Sequence, residues 1–202
     1  MEIVFIRHLP TPGNEKRQYI GRTDEELSVR AEEEFRMRIE KRGTSMYPSV
    51  QYLIVSPMRR CIRTAELIYP GQEIVEEPLL RECDFGEFEK KTYEELKDRP
   101  EYIRWLESGG IEAFPGGEDQ MAFRSRCVDG VKKWIGRLLD KGAESAAFIA
   151  HGGTIMAALS ELSEECCGFY HWQVENGCGY TAEITDREWK KGKKILRAIK
   201  RI

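Results

Sequence analysis

Three short apolar runs constrain this chain more than any other feature: 3–6 (Ile3, Val4, Phe5, Ile6), 52–55 (Tyr52, Leu53, Ile54, Val55) and 146–150 (Ala146, Ala147, Phe148, Ile149, Ala150). None alternates apolar with polar residues, so none reads as a strand with one face in water. Continuous runs of this length suit strands covered on both faces, the environment of a parallel sheet. Covering both faces takes helices, and the sequence between the runs supplies them. Residues 28–42 place Ala31, Phe35 and Ile39 on one face, with Gly43 to end the helix, and residues 118–141 carry Val128, Val131, Ile135 and Leu138 on another, with Gly142 as the stop. Ser56 before Pro57 reads as a helix start with the serine as cap. The expected fold class is α/β, a three-layer α/β/α sandwich with a mostly parallel sheet, formed by residues 1–202 as a single domain.

Residues 80–117 interrupt that alternation. Two short helices, at about 92–98 and 101–107, and the pairs Gly109-Gly110 and Gly116-Gly117 suggest an excursion over one sheet edge, of a kind that often covers a site. Residues 179–184 and 195–199 read as late strands joined by a basic turn at 190–194, which is a solvated turn rather than a binding patch. The glutamates at 25, 26 and 32–34 read as a solvated face in the same way.

Composition excludes several functions. With 202 residues and 41% hydrophobic content, the chain can bury a core, and a net charge of -3 disfavours nucleic acid or an anionic membrane as partner. No apolar stretch is long enough to span a bilayer, and Met1 leads into the first run without the basic region of a signal peptide, so a cytoplasmic chain is expected. The cysteines (Cys61, Cys83, Cys127, Cys166, Cys167, Cys178) form no CxxC pair, and none of the three histidines stands at ligand spacing from a cysteine pair. No metal and no other cofactor is therefore expected.

The chemistry collects where the three runs end. The first is followed by Arg7-His8, the second by Ser56-Pro57-Met58-Arg59-Arg60, the third by His151-Gly152-Gly153. In an open parallel sheet, ligands bind at the carboxyl ends of the strands, so two histidines and at least two arginines would converge on one crevice. Guanidinium forks and helix N-termini ask for a phosphate or a carboxylate. The chain has no GxxxxGK[ST] loop and no paired aspartates for Mg²⁺, which leaves a side-chain nucleophile, and a neutral, oriented histidine can attack phosphorus. His171, within Phe169-Tyr170-His171-Trp172, reads instead as an aromatic packing residue, or as lining for a leaving-group pocket.

These residues resemble a known family. Arg7-His8-Leu9-Pro10-Thr11-Pro12-Gly13-Asn14 is similar to the RHGxTxxN opening of the histidine phosphatase superfamily, the phosphoglycerate-mutase-like group. The match continues in order through Gly21-Arg22-Thr23-Asp24, the segment 56–65, Leu80-Arg81-Glu82-Cys83-Asp84-Phe85-Gly86, Pro115-Gly116-Gly117-Glu118 and His151-Gly152-Gly153. The resemblance implies that His8 is the nucleophile and becomes phosphohistidine, and that Arg7, Arg60 and His151 clamp the phosphate. It also implies that Asn14, Gly21 and Gly152 contact the substrate and that Glu82 exchanges protons with the leaving group and with water. Arg60 rather than Arg59 aligns with the family's arginine. Two departures stand out. Leu9 replaces the family's glycine, a costly change if that position needs a positive φ or a close approach to the ligand. Lys90, in Phe88-Glu89-Lys90, replaces another glycine at the rim. The segment 19–24 and Glu82-Cys83-Asp84-Phe85-Gly86 are similar to the alpha-ribazole phosphatase branch. The implied activity is metal-independent hydrolysis of a small phosphomonoester, with alpha-ribazole 5'-phosphate as the candidate. The alternatives are mutase-type phosphoryl transfer and a non-catalytic phosphate-binding or docking module.

Overall fold

A computed structural model describes residues 1–42, 46–165, 167–193 and 195–202. The expected helix stop at Gly43 therefore lies outside the described residues, as do Cys166 and the end of the basic turn at Lys194. Six strands form one sheet in the order β3-β2-β4-β1-β5-β6: β1 (Glu2–Arg7), β2 (Tyr52–Val55), β3 (Ile74–Glu76), β4 (Ser145–Ala150), β5 (Gly179–Glu183) and β6 (Arg197–Arg201). The pairs β1–β4, β2–β4 and β2–β3 are parallel, and β5 and β6 close one side antiparallel.

The continuous apolar runs have the expected cause. Along β1, Ile3 and Phe5 enter one core while Val4 and Ile6 enter another, and β4 divides Ala146 and Phe148 from Ala147 and Ile149 in the same way. Period-two alternation thus sends successive side chains into two dry layers, which is why neither strand has a polar face. On the first face pack α6 (Gln120–Asp140) and α7 (Gly152–Leu162); on the second pack α2 (Val29–Arg42) and α3 (Arg59–Ile68). This is a three-layer α/β/α sandwich. Among the described residues, no helix is long and apolar enough to cross a membrane.

Residues 80–117 lie on the first face and share its core through Leu80, Cys83, Phe88, Leu96, Tyr102 and Phe114. Their helices, α4 (Tyr93–Leu96) and α5 (Pro100–Glu107), carry strong start signals: a capping box between Thr92 and Glu95, and Pro100 at the first turn. Three features depart from expectation. The strand β3 was not foreseen, because three half-exposed residues give no periodic signal. The late strands are joined by a short helix, α8 (Asp186–Lys190), and not by a turn alone. Finally, α3 begins at Arg59 with Met58 at its cap position, so Ser56 does not cap it. A tertiary partner has claimed that serine.

Candidate active site

The three parallel strand ends do converge. His8 follows β1 and is almost wholly buried. Its Nδ1 lies 2.7 Å from the carbonyl oxygen of Leu9. A carbonyl only accepts, so Nδ1 carries the proton and the lone pair rests on Nε2. Burial, reinforced by the charges of Arg60 and Arg7, holds the imidazole pKa well below its ordinary value. The side chain is thus neutral and oriented, the state a nitrogen nucleophile needs.

Leu9 costs the backbone nothing. It does not have a positive φ, its N–H donates to Thr64 Oγ1 at 3.0 Å, and its side chain is buried in the second core. Gly177, at φ +74°, packs against it, and a Cβ there would lie 2.9 Å from Leu9 Cδ2. The strain feared at Leu9 is absent because its backbone takes no positive φ and its side chain enters a core.

His151, at the end of β4, has no exposure and stands 5.2 Å from His8 between ring centroids. Arg60 Nε donates to its Nδ1 at 3.3 Å, which leaves Nε2 protonated and donating to Ser56 Oγ at 2.8 Å. Burial, then the charge of Arg60, lowers its pKa too. Arg60 is itself fully buried, and its other nitrogens donate to Thr23 O at 2.8 Å and Gly21 O at 2.9 Å. Both residues were expected to clamp phosphate directly. In this structure Nε, Nη1 and Nη2 of Arg60 each donate one hydrogen bond to the protein, as does Nε2 of His151; each Nη keeps a second N–H, and the charge of Arg60 reaches His8. Arg59 is on the surface, paired with Glu26 at 3.0 Å.

Arg7 differs. Its Nη1 donates to Val174 O at 2.7 Å, but Nε is buried without a partner. An unsatisfied guanidinium N–H at the floor of a cleft is poised for an anion. The cleft measures about 250 Å³ and is walled by Arg7, Asn14, Tyr19, Glu82, Phe85 and Gly152, among others. Glu82 was expected near the site and borders it. Its carboxylate accepts from Cys83 N at 3.0 Å and Gly153 N at 3.2 Å. Burial nonetheless raises its pKa above the ordinary carboxylate range, against those two hydrogen bonds and the charges of Arg60 and Arg7. Glu82 thereby occupies the N-terminus of α7 that the sequence reading assigned to phosphate. Gly153 has to be glycine, since a Cβ there would lie 2.5 Å from Glu82 Oε1 and 2.8 Å from Phe123 Cζ.

Asn14 lies in the cleft wall, tied through Oδ1 to Asn176 Nδ2 at 3.3 Å, and Asn176 also donates to His8 O at 2.9 Å. Gly152 borders the cleft as well. Gly21 was expected to touch substrate; in the structure its carbonyl holds Arg60, and a Cβ would collide with Cys83 O.

Two supporting residues were not anticipated. Glu89 accepts from the backbone N–H groups of Gly21, Arg22, Thr23 and Phe85 and from Thr23 Oγ1. The loop 21–23 is therefore strung between Glu89 on one side and Arg60 on the other. Arg126, bound to Glu118, donates to Leu79 O, Arg81 O and Glu82 O, and so fixes the backbone that carries Glu82. The adjoining motifs Phe88-Glu89-Lys90 and Pro115-Gly116-Gly117-Glu118 were the available signals for both.

The family model described as histidine phosphatase superfamily (branch 1) matches residues 3–194. A relative from Salmonella choleraesuis, provisionally named a phosphoglycerate mutase, is 31% identical over 130 residues, which are 62% of this chain and 59% of its own. The match thus spans under two thirds of that relative's length. A relative from Hydrogenobacter thermophilus, provisionally named a phosphoserine phosphatase, is 26% identical over 165 residues, 80% of this chain and 78% of its own. Among solved structures, the alpha-ribazole phosphatase of Shigella flexneri superposes with a TM-score of 0.76 at 22% identity, covering 93% of this chain and 92% of that one.

Proposed function

The chain belongs to the histidine phosphatase superfamily, and from that premise we propose that it hydrolyses a small phosphomonoester through a phosphohistidine on His8. The observation that carries this reading is the Nδ1–H bond from His8 to Leu9 O, which leaves Nε2 free to attack.

Nε2 forms a bond to phosphorus as the P–O bond to the alcohol breaks. Glu82, whose pKa burial raises, gives its proton to the departing oxygen in its acid form. A water then attacks the phosphohistidine, Glu82 takes the water's proton, and the P–N bond breaks to release inorganic phosphate and restore His8. Arg7 Nε binds an oxygen of the transferring group, while the fixed charge of Arg60 stabilises the transition state from behind.

Hydrolysis is favoured over mutase-type transfer by the cleft wall. Arg7 is its one cationic member, and Tyr19, Ile20, Phe85 and Met156 give it apolar surface beside the polar Asn14, Gln18 and Gln173. That suits a leaving group with an uncharged ring better than one carrying a second anion, and alpha-ribazole 5'-phosphate is the candidate we would test first. The test is phosphate release from p-nitrophenyl phosphate and a panel of phosphomonoesters in EDTA, for the parent and for His8→Ala. Turnover that survives the chelator and vanishes in the variant is expected. With 3-phosphoglycerate, appearance of 2-phosphoglycerate without free phosphate would replace hydrolysis by transfer. Phosphate binding with no turnover on any substrate would leave a docking module.

A further inference from the structure

After α7 the chain doubles back and brings together three side chains that the chemistry at His8 does not use. Glu165, Cys167 and His171 each present one ligand atom, and the three atoms lie within 4.8 Å of one another. The backbone produces this meeting. Ser163 Oγ accepts from Glu165 N at 2.9 Å, Cys167 N donates to Glu165 O at 2.7 Å, and His171 N donates to Gly168 O at 3.0 Å. The His171 ring stands edge-on against buried Trp172, with centroids 4.9 Å apart, so one side of the imidazole is set. Among the described residues, no hydrogen bond or ion pair claims any of the three ligand atoms.

We propose that Glu165, Cys167 and His171 form a binding site for a zinc-class divalent cation. A thiolate, an imidazole and a carboxylate together select a borderline-soft ion and disfavour Mg²⁺ or Ca²⁺. Metal–ligand bonds of about 2.0–2.3 Å in a tetrahedron place ligand atoms roughly 3.3–3.8 Å apart. A contraction of about 1 Å therefore closes the set, and Glu165 and His171 are exposed and free to make it. On binding, the Cys167 thiol releases its proton to solvent, and the two anionic ligands neutralise the ion's charge. Water fills the fourth position. Spacing alone did not single this group out, because Cys166-Cys167 is not a CxxC pair; the turn at Gly168 brings His171 back beside Cys167. Shortly after His171, the chain reaches Gln173 and Val174, which line the cleft, and Val174 O holds Arg7. An ion here would brace that strap without entering the reaction.

The probes are Co²⁺ and Zn²⁺, added to the full chain under a non-thiol reductant. The expected result is one Co²⁺ per chain with a sulfur-to-cobalt charge-transfer band, displaced by Zn²⁺. Cys167→Ser should remove the band, His171→Ala should weaken binding at least tenfold, and His171→Cys should restore it, which also shows that the segment still folds. His8→Ala should bind as the parent does, so failure of the phosphatase reading leaves this test intact. Absence of binding would overturn the proposal. So would binding that survives both Cys167→Ser and His171→Ala, or binding lost in Cys166→Ser but kept in Cys167→Ser.

Discussion

Arg7, His8, Arg60 and His151 follow the ends of three adjacent parallel strands, whereas Tyr19, Phe85, Phe88, Tyr102, Trp105 and Phe114 come from loops and short helices. The floor is ordered because strand register dictates where each side chain starts, and among these four described side chains only Arg7 Nε is a fully buried polar atom without a hydrogen-bond partner. The roof is a nest of aromatic edges: Tyr19 meets Phe85, Tyr102 and Trp105 at centroid distances of 5.4, 6.1 and 6.3 Å, and its hydroxyl lies 2.7 Å from that of Tyr102. Such contacts are individually worth about 0.5–1.5 kcal/mol beyond burial, so the roof is held by many small apolar contacts where the floor is held by directional hydrogen bonds. On the proposed reading, the chemistry falls to the floor and selection of the leaving group to the roof. Glu82 and Glu89 sit at the seam, and Glu89 ties the two together.

Five measurements probe that division. The largest effect belongs to the floor: His8→Ala should lower turnover by at least about 10³-fold while phosphate still binds, and His171→Ala should leave turnover near the parent's. At the seam, Glu82→Gln should cost about 10²–10⁴-fold. Because Glu82 must be protonated to act as the acid and burial raises its pKa, parent activity should persist above the ordinary carboxylate range and fall as pH rises through the raised value. That alkaline limb should be missing from the pH profile of Glu82→Gln.

Glu89→Gln turns a carboxylate that meets only donors into an amide that opposes some of them. It should cost about 1.5–3 kcal/mol in denaturant unfolding and lower kcat by loosening Arg60. Unchanged kcat in a folded variant would cut the floor loose from the roof. The buried histidines set a pH dependence of stability. Both have folded pKa values below the ordinary 6.5, so the unfolded chain binds more protons between those values. Stability should therefore fall as pH drops through about 6.5, and His8→Ala should flatten the fall. The smallest effect lies on the rim. Lys90 is exposed at φ +61°, with its N–H donating to Tyr19 O at 2.8 Å, so Lys90→Gly should raise stability by about 0.5 kcal/mol without touching the floor.

How much of this was legible follows from the range of each interaction. Strands β1, β2 and β4 announced themselves because burial on both faces is written into four to six consecutive residues. The polar residues just beyond them had to share one edge of the sheet once the strands ran parallel. That logic brought Arg7, His8, the pair Arg59-Arg60 and His151 together from sequence alone, and the motif resemblance chose Arg60 and added Glu82. What the pattern could not tell was which polar group would bond to which. Ser56 looked like a cap because that is its nearest use, but His151, 95 residues away, took it. Nothing local to Gly21 told that its carbonyl would hold Arg60 and its N–H would meet Glu89. Leu9 looked like a fault, but its backbone takes no positive φ and its side chain enters a core. Apolar periodicity is a property of neighbours along the chain and can be read one residue at a time. The partner of a buried polar group is settled only when loops close and exclude water, since an unmet donor or acceptor then costs about 1–3 kcal/mol and each takes whatever partner the fold has brought within reach.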